Sequence, residues 1–436
     1  MNEILKLIIA QNQKHLLSDY TIIPRELEII PIARKSTVIM GIRRCGKTTW
    51  QYEKIQALLE SNVSFENICF IDFSDDRLYF LRAEDSLPSI ISDTYYGMYP
   101  QKHDEKVYFF FDEIQYVNLW GSFINRLQIS ENCEIYITGS SAKLLSKELS
   151  TEIAARTFSW ELFPFSFVEY LRFKNISILF DDVKNRDEIK KGFDDYFYKG
   201  GLPERLILPN DKMVNKYFQN FVRDVITRDI ILRYNISNPV QLERLTQILL
   251  NSFSRLFTVN KLKQRLSGER LNLSPKLINE YIEKLIDSYL LYTVSIRSYN
   301  MAVQSINPKK VYIVDHALAQ CMSVSTSENR GLILENIVFM HLRRKTEEIF
   351  YYKTKKGDEI DFVIGPDSKI EIIQVCWELN KSENTRKREI KALIDAMNEL
   401  SVCESWIITS YEKEEVKDIK IGNVIHIVPA FQWLLE

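Results

Sequence analysis

Through the first 165 residues, short and nearly continuous apolar runs alternate with stretches of helical spacing. Residues 35–40, 67–73 (NICFIDF), 107–111 (VYFFF) and 134–138 (EIYIT) are such runs, and 157–162 is a weaker fifth. Apolar runs without strict alternation, separated by helical patterns, predict a parallel sheet covered on both faces. An α/β domain is therefore expected over residues 20–165. Residues 181–234 read as helices broken by the turn Gly200-Gly201-Leu202-Pro203, giving a helical lid over 166–240. From 242 to 297 the pattern is helix, short helix, helix and an apolar strand at 289–294. The helix at 258–266, the turn at 267–270 and the helix from Ser274 resemble a winged-helix core, expected over 241–300. The last region, 309–436, predicts a helix at 331–346 and strands at 349–353, 359–364 and 370–376. A charged helix at 383–400 and strands at 405–409 and 424–428 complete this second α/β domain.

With 436 residues, several domains are expected rather than one core. Fifty-seven basic residues against 59 acidic ones give a net charge of −2, which excludes nucleic-acid binding by bulk charge and leaves only local patches. Cys45, Cys69, Cys133, Cys321, Cys376 and Cys403 have no metal-ligand spacing and suit a reducing compartment. The apolar stretch at 4–10 is interrupted by Lys6 and is too short for a signal peptide. No run reaches the ~20 apolar residues that span a bilayer, so a cytoplasmic protein with no membrane partner is expected.

Candidate chemistry begins at the end of the first run. Gly41-Ile42-Arg43-Arg44-Cys45-Gly46-Lys47-Thr48 matches G-x-x-x-x-G-K-[ST] at every fixed position, after an apolar strand and before a helix-compatible stretch. Such a loop turns its N–H groups onto phosphate oxygens, backed by the positive end of a helix. The expected nucleotide contacts run from Gly41 to Thr49, with Lys47 on the β- and γ-phosphates of ATP and the Thr48 hydroxyl on Mg²⁺. The run 107–111 delivers Asp112-Glu113 at a strand's C-terminal end, where open α/β sheets bind ligands. Asp112 is the expected second Mg²⁺ residue, and Glu113 the group that polarises the attacking water.

The strand at 67–73, inserted between the loop strand and the acidic strand, together with Glu113, resembles the additional-strand NTPases that include the AAA+ superfamily. GIRRCGKTT, FFFDEIQ, ITGSSAKLLSKELSTEIAAR, ELFPFSFVEYL and GGLPE occur in the order seen in a family of prokaryotic AAA-type ATPases. That family carries a C-terminal domain of unknown function (4143) resembling a restriction-endonuclease fold, and the similarity covers nearly the whole chain. The resemblance implies a P-loop NTPase sheet, a γ-phosphate-sensing role for Ser140 or Ser141, and an arginine finger at Arg156 acting in its own subunit or a neighbour's. AAA+ proteins commonly form rings, so a homo-oligomer is implied as well.

Between residues 255 and 276 lie Arg255, Lys261, Lys263, Arg265, Arg270 and Lys276 against a single acid, Glu269, a patch suited to DNA phosphates. Glu280 and Glu283 on the following helix oppose groove entry. In the last domain Glu335 and Asp361 fit the carboxylates of PD-(D/E)XK nucleases, but the positions expected for Glu and Lys hold Gln374 and Cys376. An amide is a poorer Mg²⁺ ligand than a carboxylate, and a thiol supplies no cation. The site is expected to be degenerate. The leading expectation is an ATPase whose hydrolysis moves its appended domains. The alternatives are a nucleic-acid-binding module with ATP as a regulatory ligand, and an ATP-coupled nuclease.

Overall fold

The computed structural model describes residues 2–16, 22–79, 87–141, 156–179, 183–318, 329–366, 368–418 and 422–436. The chain divides into two compact units, residues 1–163 with 287–289, and 164–286 with 290–436.

In the first unit all five expected runs are strands: β1 (Ser36–Met40), β2 (Ile68–Asp72), β3 (Val107–Asp112), β4 (Cys133–Gly139) and β5 (Thr157–Glu161). They form one parallel sheet in the order β2-β3-β4-β1-β5. One expectation is corrected by this order. The strand lying between the loop strand and the acidic strand is β4, whereas the 67–73 run forms β2 at the sheet's edge. Crossover helices let a strand skip its neighbour in sequence, so chain order does not give spatial order. The core includes Ile71, Phe109, Phe111, Ile135 and Ile137. It also takes in Leu5, Ile8 and Ile9 from the helix Glu3–Leu16, ahead of the expected boundary at 20. Those residues share one helical face. Asn12 donates to the Phe70 carbonyl (3.0 Å) and Gln13 to that of Ile68 (3.1 Å), covering the open edge of β2.

The second unit opens with the helices Phe167–Phe173, Val183–Lys199 and Asp211–Asp224. The Gly200-Gly201 turn is fixed by a buried aspartate distant in sequence. The N–H groups of Gly201 and Leu202 each donate to Asp315 Oδ2 (2.8 Å), and that of Ala317 donates to Oδ1 (2.8 Å). A Cβ on Gly201 would come within 2.3 Å of the Phe165 carbonyl oxygen, so close backbone approach requires glycine.

A nine-stranded mixed sheet organises the rest. Its strands are β6 (Arg255–Phe257), β7 (Leu291–Ile296), β8 (Lys309–Ile313), β9 (Ile349–Lys353), β10 (Glu359–Ile364), β11 (Glu371–Val375), β12 (Glu404–Thr409), β13 (Glu414–Asp418) and β14 (Asn423–Pro429). Their order is β13-β14-β12-β11-β10-β9-β7-β8-β6. The sequence pattern misses β6, β8 and β13. The boundary expected at 309 falls inside this sheet, because β8 pairs antiparallel with β6 and β7. β7 in turn pairs parallel with β9 through Ser295 and Ile296. Among the described residues no helix is long and apolar enough to cross a membrane.

Replacing Asp315 by Ala should strand three buried N–H groups and lower stability by about 3 kcal/mol, read as a reduced urea midpoint at unchanged slope.

Candidate active site

The parallel register brings four strand ends to one edge of the first sheet. Met40 pairs with Gly139 and Asp72 with Asp112, so Gly41, Ser140 and Glu113 emerge together. Gly41 and Gly46 have φ of 150° and 101°. A Cβ on Gly41 would meet the Leu162 carbonyl oxygen at 2.2 Å. The helix Lys47–Glu60 begins on Gly46 with no side-chain cap, so its first N–H groups face the loop. Lys47 Nζ donates to the carbonyls of Gly41 and Ile42 (3.1 Å each) and lies 3.7 Å from Glu113 Oε1. Arg25 braces the loop from behind, donating to the carbonyls of Cys45 (2.9 Å) and Phe163 (2.6 Å). No sequence motif pointed to it. Arg43 reaches the Tyr116 hydroxyl (3.2 Å), Arg44 holds a positive φ of 62°, and burial raises the Cys45 thiol above its usual range.

Thr48 Oγ1 donates to Asp112 Oδ2 at 2.6 Å, and Thr138 donates to Oδ1 of the same carboxylate. Thr138 also accepts from the Glu113 N–H (3.0 Å). Burial, with Glu113 and Asp72 nearby, lifts the Asp112 carboxyl to about 7. A carboxylate this short of solvent and paired to the loop threonine fits a divalent cation, which would supply the missing charge. Thr138 was missed in the sequence, where it reads as the end of an apolar run. Glu113 itself sits at φ 52°, a conformation uncommon outside glycine. Gln115 Nε2 contacts the Glu113 carboxylate and lies 3.3 Å from Ser140 Oγ. Thr49 follows Thr48 in the first helical turn.

Arg156 is placed elsewhere. It precedes β5, whose Thr157 pairs with Ser36 at the start of β1, the far end of the sheet from Gly41. Five residues of strand, ~16 Å, put this chain's own loop beyond an arginine's reach. The own-subunit alternative for Arg156 is therefore set aside. Residues 142–155 of the ITGSSAKLLSKELSTEIAAR stretch lie outside the described residues.

Three consecutive family models match the chain: an AAA domain over residues 33–171, a domain of unknown function (DUF8612) over 190–329, and another (DUF4143) over 330–432. The uncharacterized protein MJ1544 of Methanocaldococcus jannaschii is 33% identical over 424 residues, covering 95% of this chain and 91% of that protein. The chain belongs to this family of AAA-domain proteins with a C-terminal DUF4143 domain. An uncharacterized protein of Haemophilus influenzae is 27% identical, covering 92% of this chain and 94% of its own length. Among solved structures, the Walker-type ATPase PABY2304 of Pyrococcus abyssi is similar with a TM-score of 0.40 and 16% identity, over 66% of this chain and 90% of that one.

Across the DUF8612–DUF4143 border lies a buried acidic centre. Lys310 of β8 places Nζ 3.0 Å from Glu335 Oε1, 2.7 Å from Asp361 Oδ1 and 2.9 Å from Glu359 Oε1. Tyr312 donates to Glu335 Oε1 (2.7 Å). Glu335 and Asp361 thus share a lysine that the motif does not include. Burial opposes the Lys310 charge, yet Asp361, Glu335 and Glu359 outweigh it and hold the proton well above the usual lysine range. Burial and Asp361 raise the Glu335 carboxyl to about 7. Gln374 accepts from the Asp361 N–H (3.1 Å) and donates to Glu389 (2.9 Å). Burial pushes the Cys376 thiol up to about 12. Among the described residues no group of three or more His, Cys, Asp or Glu side chains is placed to hold a metal ion.

Lys310→Met should cost about 3–5 kcal/mol, because the carboxylates lose their buried cation. Glu335 holds its proton more tightly folded than unfolded, so it favours folding at low pH and loses that contribution as pH rises through about 7. The deficit of the variant should therefore shrink on acidification, read from denaturation midpoints between pH 5 and 8.

Proposed function

We propose that this protein is an ATPase that binds ATP with Mg²⁺ at Gly41–Thr49 and hydrolyses it, using turnover to rearrange its appended domains on DNA. The observation that carries this reading is the Thr48–Asp112–Thr138 hydrogen-bond chain beside Glu113 and Lys47. Lys47 is bonded to the loop carbonyls of Gly41 and Ile42. Phosphate oxygens would replace those acceptors and leave Glu113 to orient the attacking water. Thr48 and Asp112 would hold Mg²⁺, which supplies charge compensation to the phosphates. Ser140, at the same edge as Gly41, would sense the γ-phosphate. Arg156, at the opposite edge, would serve a neighbouring subunit in a homo-oligomer.

Lys47→Ala should abolish nucleotide binding, measured with a fluorescent ATP analogue. Glu113→Gln should retain ATP but release no phosphate. Unchanged ATP affinity in Lys47→Ala would sink the assignment.

DNA contact is proposed through residues 241–300, read as a winged helix. Arg255, Lys261, Lys263, Arg265, Arg270 and Lys276 are all exposed. Arg244 pairs with Glu269, the single acid among them, removing most of its opposing charge. Replacing Lys261, Lys263, Arg265 and Lys276 together by Ala should flatten the salt dependence of duplex binding, by about 0.9 in log–log slope for each phosphate no longer neutralised. No affinity of the wild type at low ionic strength would remove DNA from the proposal.

The helix Arg330–Lys345, the antiparallel strands β9–β10–β11, the helix Glu383–Leu400 and β12 support a restriction-endonuclease-like reading of the DUF4143 domain. The Lys310 ammonium among its carboxylates favours a site that does not cleave. Mn²⁺-dependent cleavage by the wild type that is lost in Asp361→Ala would overturn this.

A further inference from the structure

Gln115 lies two residues past Glu113, in the short helical turn Ile114–Tyr116. Its amide nitrogen contacts the Glu113 carboxylate and, with Ser140 Oγ 3.3 Å away, joins two groups from different strands. The amide carries two N–H bonds, so both contacts can be made at once. Its oxygen is buried and has no hydrogen-bond partner among the described residues. A Cβ on Gly139 would come within 3.1 Å of that oxygen, so the end of β4 packs directly on the amide. Packing at Gly139 fixes the amide's place beside the Glu113 carboxylate that it contacts.

We propose that Gln115 is a positioning residue that ties the orientation of Glu113 to Ser140. The inference rests on the ATPase reading above. Glu113 is met by Lys47 at one carboxylate oxygen, Oε1, and by Gln115 at the other. Phosphates draw Lys47 away by supplying better acceptors, and Gln115 keeps its contact with the carboxylate. Because the same amide reaches Ser140, whatever engages that hydroxyl at the loop edge also sets the aim of Glu113. The arrangement regulates hydrolysis without contributing to nucleotide affinity.

The test is a double-mutant cycle in the full-length chain. Gln115→Met keeps length and bulk but has no N–H, and Ser140→Ala removes the other end of the bridge. ATP affinity, the thermal midpoint and the rate of phosphate release are measured for each. Gln115→Met should lower kcat about 10- to 100-fold, as misplacement of a catalytic group does, with ATP affinity and thermal midpoint unchanged. The double variant should be no slower than the slower single variant. Additive losses, wild-type kcat in Gln115→Met, or a parallel fall in affinity and midpoint would each overturn the proposal. Glu113→Gln in the same assay separates the two levels. If it turns over normally the ATPase reading fails, whereas an inactive Glu113→Gln beside a wild-type-like Gln115→Met rejects only the bridge.

Discussion

A carboxylate removed from water must be protonated, hydrogen-bonded or matched by a cation, and that requirement shapes both units. Asp112 meets it with two threonine hydroxyls, which are neutral and leave its charge uncompensated. Asp315 meets it with three backbone N–H groups and becomes a fixed brace. Glu335 and Asp361 meet it with a lysine, which completes the charge balance inside the protein. The three solutions differ in what they leave for a ligand. Of the three, Asp112 is the one that still calls for a cation, and there the phosphate loop stands beside it.

The first sheet was legible because buried parallel strands need apolar residues on both faces, which gave runs such as 107–111 without alternation. The edge bearing the loop was legible because the glycine positions and Lys47 follow from the geometry of holding phosphate. Neighbour relations were not legible. Nothing in 67–73 distinguishes an edge strand from a central one when its outer edge is covered by Asn12 and Gln13 rather than by another strand. Thr138 and Gln115 were hidden for a related reason: each acts through register across strands, and a single sequence carries no register.

In the C-terminal region the helix and strand pattern is readable, and Glu335 and Asp361 meet around one lysine. The charge partner was not. Lys310 sits 25 residues before Glu335, on a five-residue strand whose pattern is too short to stand out. The turn at Gly200-Gly201 shows the same limit. It reads as punctuation in sequence, yet its amides are the donors to an aspartate more than a hundred residues away.

Strand β8 has a consequence for how this chain is divided. It completes a sheet with β6 and β7 while delivering its lysine to carboxylates from Glu335 onward. The border between the two C-terminal family models, after residue 329, therefore marks a change in sequence similarity and not a seam in the material. Excising either side would leave an open sheet edge at β7 or β9 and an unneutralised charge in the interior. The two stretches fold as one body, so a substitution at Lys310 is felt directly at Glu335 and Asp361.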